Sequence, residues 1–245
     1  GFVTRNDFKR LEPRVAWNPR AERIDWLRRF QFSAQYRYLE GITSRQKEEE
    51  VWEFGLLGLS FESGDDFDLD VSRTYELLHE RFEVYDSIYI EAGQYTNWET
   101  GIRIFTASRR PISFRTRANW GGFWNGDKKS ANISVTFRPL TGLSFSTTFE
   151  RNDVNLPQGD FATNLGKLEA GWDATPLIAL TGNVQYDDVS GVIGLFSKLR
   201  WTLRPGNDIF LVFTHNWLRD PLAEQDEITT LSRGATIKAN YTIRF

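Results

Sequence analysis

One pattern governs this chain: apolar and polar side chains alternate with a period of two, segment after segment. In 235–245, Ala235, Ile237, Ala239, Tyr241, Ile243 and Phe245 fall on one face, and Thr236, Lys238, Asn240, Thr242 and Arg244 on the other. Upstream, Ile193, Leu195, Leu199, Trp201 and Leu203 oppose Lys198, Arg200, Thr202 and Arg204. Phe30, Phe32, Ala34, Tyr36 and Tyr38 oppose Gln31, Ser33, Gln35 and Arg37 in the same way. A strand sends successive side chains to opposite faces, so this period predicts β-strands with one apolar face each.

Alternation and turn signals together predict about thirteen strands, at roughly 11–17, 29–40, 50–62, 66–74, 95–107, 112–124, 130–138, 142–151, 164–173, 177–187, 193–204, 208–217 and 233–245. No amphipathic helix interrupts them, although 20–29 and 75–83 each have room for one helical turn. Short turns are marked by Pro19, Pro111, Pro139, Pro176 and Pro205, with 62–66 (ESGDD) playing the same part. Between these lie connections that read as longer and more polar: 41–49, 75–94, 152–163, 187–192 and 218–232. The one at 125–129 is short.

Short turns at one end, longer loops at the other and strands of ten or more residues predict an antiparallel up-and-down transmembrane β-barrel of the outer-membrane type. Soluble strands average about five or six residues. Trp17, Trp98, Trp120, Trp124, Trp172 and Trp217 fall near predicted strand ends, where aromatic residues anchor a barrel at the two interfaces. Tyr241, Ile243 and Phe245, in phase on the last strand, read as a C-terminal assembly signal. If Phe245 is periplasmic, every Pro turn is periplasmic and every longer loop extracellular.

Composition sets boundaries. No run approaches the roughly 18 apolar residues of a membrane helix. There is no Cys, so no disulfide or thiolate metal site. Nine Trp, 8 Tyr and 19 Phe argue against disorder. With 33 acidic and 30 basic residues the net charge of −3 does not suit a nucleic-acid surface. There is also no Met, and residues 1–10 (GFVTRNDFKR) lack the apolar core of a signal peptide. With an odd strand count, this leads to the expectation that 1–245 is the C-terminal portion of a larger, even-stranded barrel, without a second domain.

Residues 1–11 (GFVTRNDFKRL), 92–101 (AGQYTNWETG), 199–213 (LRWTLRPGNDIFLVF) and 231–245 (LSRGATIKANYTIRF) resemble an uncharacterised outer-membrane family. Its members join an N-terminal domain like carbohydrate-binding family nine to a C-terminal outer-membrane β-barrel. RWTLRPGND is the most distinctive stretch. The resemblance implies the barrel part, without the sugar-binding part, and transfers no catalytic residue.

Catalysis has little to work with. His215 shares a face with Phe213 and Trp217, and His79 lies in the 75–94 connection. An Asp/His arrangement in outer loops would draw on His79, Asp187 and Asp188, but nothing in their spacing requires mutual geometry. Asp65–Asp66 falls on the opposite side. No Gly-x-Ser-x-Gly or HExxH motif occurs. Asp220, Glu224, Asp226 and Glu227 lack the spacing of a Ca²⁺ loop. No cofactor, metal or enzymatic activity is expected.

The polar face is richer. Arg37, Arg103, Arg115, Arg117, Lys167, Lys198, Arg200, Lys238 and Arg244 would point into a lumen, with Asp68, Asp70, Glu99, Glu150, Glu169 and Asp173. Arg103, Arg115, Arg117, Lys198, Arg200, Glu99 and Glu150 are the candidates for a constriction, since rings of charge select solutes. The same interleaved charges could instead brace the wall by cross-strand pairing. The expected function is a porin-like or transport pore for small polar solutes; the alternative is a barrel that anchors a partner domain or complex. The expected partners are the lipid bilayer, the outer-membrane insertion machinery and other envelope proteins, with no nucleic acid.

Overall fold

The computed structural model describes residues 7–219 and 228–242. Among them no helix occurs. The strands are β1 (Phe8–Leu11), β2 (Arg14–Trp17), β3 (Leu27–Gly41), β4 (Lys47–Phe61), β5 (Asp66–Leu78), β6 (Phe82–Tyr85), β7 (Ile88–Ile90) and β8 (Gly93–Phe105). They continue with β9 (Ile112–Phe123), β10 (Gly126–Leu140), β11 (Leu143–Leu156), β12 (Gly159–Thr175), β13 (Ile178–Asp187), β14 (Val192–Arg204), β15 (Asn207–Arg219) and β16 (Ile228–Asn240).

Fourteen of these form one antiparallel up-and-down sheet, in the order β1-β3-β4-β5-β8-β9-β10-β11-β12-β13-β14-β15-β16, with β2 also on β3. β1 and β2 occupy one position on the same edge of β3, split at Glu12 and Pro13. Pro13 has no N–H to give the ladder, but its carbonyl still accepts from Tyr36 N at 3.1 Å. The sheet therefore has thirteen positions, and each corresponds to one strand expected from the alternation. The pairing path is open among the described residues, and the sheet is not closed on itself.

The connections differ from the sequence expectation. Tight turns occur at both ends of the strands. β11 and β12 are joined through 157–158, where a longer loop was expected, and the 41–49 connection shrinks to 42–46. The strand ends at 47–49 (KEE) and 152–153 (ND) are polar on both faces, so alternation does not reveal them. The 75–94 connection is shortened by extension of β5 and holds a separate two-stranded hairpin, β6–β7. Neither expected helical turn forms: Ile24 N bonds Ala21 O at 3.0 Å and Leu27 N bonds Ile24 O at 3.0 Å in successive reverse turns, and 75–83 is divided between β5 and β6. The connection at 220–227 lies outside the described residues.

Contacts divide the chain into two units. The first comprises 1–107, 115–131 and 152–162, and the second 108–114, 132–151 and 163–245. In the first, cross-strand register sets Tyr36 against Trp52, Trp52 against Arg73 and Arg73 against Trp98, all on one face because direct partners point the same way. The Tyr36 and Trp52 rings are 4.4 Å apart. On one side of this row the face is apolar, through Leu59, Phe67, Leu69, Ile102 and Ile104. On the other side it turns charged: Arg73 donates to Glu50 at 3.0 Å, Lys47 reaches Glu50 at 3.3 Å, and Lys47 also lies over the Tyr75 ring.

In the second unit, register carries Trp172, Leu180, Leu199, Leu211 and Ile237 in a row across β12 to β16. Trp172 is 51% exposed, Leu180 and Leu211 each 41%, and Ile237 74%. Buried hydrophobic side chains are few among the described residues: Leu27, Leu39, Val51, Ile90, Ala107, Val154, Leu156 and Ala179. The apolar face along this row is thus open to the surroundings and not packed into a core.

Candidate functional site

The polar face of the first unit is built on β5, β8 and β9. Register places Asp68 opposite Arg103, and Arg103 opposite Arg117. The next row is Asp70, Gly101 and Asn119, and the next Ser72, Glu99 and Gly121. Arg103 donates through Nε and Nη2 to one oxygen of Asp68, at 3.0 and 2.9 Å. Arg117 donates to Asp70 at 3.3 Å and to Asn119 Oδ1 at 2.9 Å, and Asn119 Nδ2 donates to Glu99 at 2.9 Å.

Asp70 and Arg117 sit on strands separated by β8. A Cβ on the intervening Gly101 would lie 2.6 Å from Asp70 Oδ2. The missing side chain leaves the path along which the carboxylate crosses the strand. Gly55 and Gly58 act similarly on β4, where a Cβ would meet Ser33 Oγ at 2.6 Å and Gln31 Cβ at 2.8 Å. The result is a groove of about 450 Å³, lined by Arg14, Gln31, Ser33, Glu53, Asp68, Asp70, Glu99, Arg103 and Arg117 among others. Nearby, Arg37 meets three carboxylates, Glu12 at 3.2 Å, Glu49 at 3.3 Å and Glu53 at 3.7 Å.

Of the expected constriction residues, Arg103, Arg117 and Glu99 are therefore brought together, the two arginines paired with Asp68 and Asp70 and Glu99 joined through Asn119. Arg115 stands apart from that network, its guanidinium 5.2 Å from the Phe105 ring centroid. Glu12, Glu49 and Glu53 were missed as partners. The hairpin register of β3 and β4 could have signalled the last two, since Gln35 pairs with Glu53 and Leu39 with Glu49.

At its loop end the same face becomes hydrophobic. Leu78, Tyr95 and Phe123 continue the rows of Asp70, Glu99 and Arg117, and the β6–β7 hairpin packs against them. Ile90 is fully buried with Val154 and Leu156, surrounded by Leu78, Phe82, Val84, Ile88, Tyr95, Phe123, Trp124 and Phe161. The Tyr85 and Phe161 rings stack at 4.4 Å. Gly159, at φ +151°, leaves space for Ile88, whose Cδ1 would be 3.1 Å from a Cβ there.

In the second unit, Glu150 accepts from Asn132 at 3.2 Å and Lys167 pairs with Glu169 at 2.9 Å. Thr136 with Ser146, and Ser134 with Thr148, hold the polar face at 2.9 and 3.1 Å. Lys198 and Arg200 share that face two residues apart, as the register of Thr181 with Lys198 and Ala179 with Arg200 requires. Neither has a carboxylate within ion-pair distance among the described residues.

The aromatic candidates separate into groups. Trp17, Trp98, Trp120 and Trp172 are exposed on the apolar face, but Trp98 is sixth of thirteen residues in β8, not near its end. Trp217 stacks on His215 at 3.9 Å between centroids. Trp124 is placed differently: it occupies the β9–β10 turn at φ 55° and packs on Phe82 and Tyr95. Tyr241 is exposed, while Ile243, Phe245, Asp220, Glu224, Asp226 and Glu227 lie outside the described residues.

The acidic pairs hold turns. Asp187 accepts from Val189 N and Ser190 Oγ, Asp188 from Asn164 N and Nδ2, Asp65 from Ala107 N and Asp66 from Ser60. His79 contacts Glu48 at 2.7 Å, and His215 contacts Thr230 at 3.2 Å. Among the described residues no cluster of His, Asp and Glu is suited to a metal ion. Neither a family model nor a curated protein matches this chain.

Proposed function

We propose that this chain forms the wall of an outer-membrane β-barrel, with the apolar face against lipid and the polar face toward a water-filled lumen that passes small polar solutes. The observation that carries this reading is the apolar row Trp172, Leu180, Leu199, Leu211 and Ile237 on five adjacent strands, half-buried at Leu199 and exposed at the other four. On the polar face, Thr181 and Lys198 occupy the next row. A contiguous apolar surface of this extent requires a cover, and a bilayer covers all strands alike.

The dimensions agree with the reading. A tilted crossing takes about 9–11 residues, and every paired strand from β3 to β16 in the large sheet has at least ten. The row of Tyr36, Trp52, Arg73 and Trp98, with apolar side chains below and Lys47 and Glu50 above, matches an interfacial girdle. Barrels in hydrocarbon leave no open sheet edge, so the proposed assembly is closed.

The second reading, a barrel that anchors a partner at the outer membrane, is favoured by the charge pairing of Arg37, Arg103 and Arg117. Carboxylates that already neutralise these cations brace a wall without selecting a solute. Two measurements test the proposal. The chain should stay in the membrane pellet through carbonate washing, and the refolded protein should give stepwise conductance in planar bilayers. Release by carbonate alone would overturn the barrel. Firm insertion without conductance would select the anchor.

A further inference from the structure

The cations of the two polar faces are arranged differently. In the first unit Arg37, Arg103 and Arg117 each meet a carboxylate. In the second, Lys198, Arg200 and Lys238 lie close in register with no carboxylate in ion-pair distance among the described residues. Arg200 is the direct partner of Phe210, and Phe210 that of Lys238. The two cations therefore flank one aromatic ring, two strand spacings or roughly 10 Å apart at the backbone. Lys198 pairs with Val212 in the adjacent row, and Phe196 follows two residues from Lys198 on the same face.

Phe196, Phe210 and Val212 are half-buried apolar side chains in the middle of a face whose neighbouring positions are mostly polar, among them Thr181, Asn183, Thr202, Thr214, Thr236 and Asn240, with Asp208 held by the Thr202 hydroxyl. A purely wet wall has no use for them, and unpaired cations beside them repel one another. Both costs are relieved by one kind of occupant: an anionic head between the cations and a flat apolar body on the rings. Cation–anion bonds of this kind are among the stronger polar contacts, and the rings add apolar contact area.

We propose that β14 to β16 carry a binding site for small organic anions with an aromatic or otherwise apolar body, with Arg200 and Lys238 holding the carboxylate and Phe210 the body. This rests on the lumen reading for its access route, but binding does not require conduction. The test uses the full chain refolded in detergent and ¹⁹F NMR of 4-fluorobenzoate, with 4-fluorobenzyl alcohol as the neutral match. Benzoate should bind saturably and the alcohol about ten-fold more weakly or worse, as loss of a charge-assisted contact implies.

Arg200→Gln with Lys238→Gln should abolish the preference for the anion. Phe210→Ser should weaken both probes. Gel mobility without boiling and strand circular dichroism identify folded variants, and Arg200→Lys, which keeps the charge, should retain anion preference. Equal binding of both probes by the unaltered chain, or no saturable binding of benzoate, would overturn the site even if the protein conducts. Unchanged benzoate affinity in the folded double variant would overturn it as well. Saturable, charge-dependent binding without conductance would support the site and leave the pore reading to fail alone.

Discussion

Arg103 and Arg117 are direct cross-strand partners, and each is turned to a different aspartate of β5. Like charges placed opposite each other destabilise a sheet. Asp68 meets Arg103 as a neighbour, but Asp70 must cross β8 to reach Arg117, and it does so over Gly101. The arrangement makes the glycine part of the charge network.

Gly101→Val should therefore cut Asp70 from Arg117 although valine favours strands. The pair is partly exposed, so its direct loss is about 0.2–1 kcal/mol, with steric cost added. A double-mutant cycle with Asp70→Asn, measured by urea unfolding in vesicles, should be non-additive. Strict additivity would separate the glycine from the pair.

The apolar row sets a second expectation. Leu199→Arg should cost about 2–4 kcal/mol if the residue meets the bilayer midplane. Asn183→Arg, opposite Glu169 on the polar face, should stay within about 0.5 kcal/mol, as surface changes do. Equal costs in equilibrium unfolding would contradict the two-faced wall.

The hairpin gives a third. Ile90 is fully buried against Val154 and Leu156. Ile90→Ala should cost about 2–5 kcal/mol locally through the cavity left behind, detaching β6–β7 before the sheet unfolds. Limited proteolysis should then cut within 79–92 while strand circular dichroism is kept. Protection equal to that of the unaltered chain would count against the packing as the hairpin's anchor.

The fourth concerns sidedness. Asn125 and Thr141 flank the two ends of β10. With no native Cys, Asn125→Cys should react with an impermeant maleimide on whole cells and Thr141→Cys should not. The opposite result would invert the orientation.

Much of the fold was legible because alternation is strong wherever one face is apolar. All thirteen sheet positions could be read from residues such as Phe30 to Tyr38 and Ile193 to Leu203. Alternation failed where both faces are polar, as at 47–49 and 152–153, so strand ends were read as loops. It also failed for β6–β7, whose strands are only four and three residues long. Of the candidate site, the face of Arg103, Arg117, Lys198 and Arg200 followed from parity. The Asp70 contact over Gly101 did not, since it depends on register across two strand pairs. Phe210 and Val212 were overlooked because their neighbours Ile209, Leu211 and Phe213 dominate the apolar count.

The most direct test of the central claim compares two adjacent positions of β15. Nitroxide labels on Leu211→Cys and Val212→Cys, in the chain reconstituted into bilayers, report access to dissolved oxygen and to a water-soluble nickel chelate. The account predicts that the label at 211 is relaxed mainly by oxygen and the label at 212 mainly by the nickel chelate. Relaxation of both labels by the chelate alone, or no alternation between them, would contradict a lipid-facing wall.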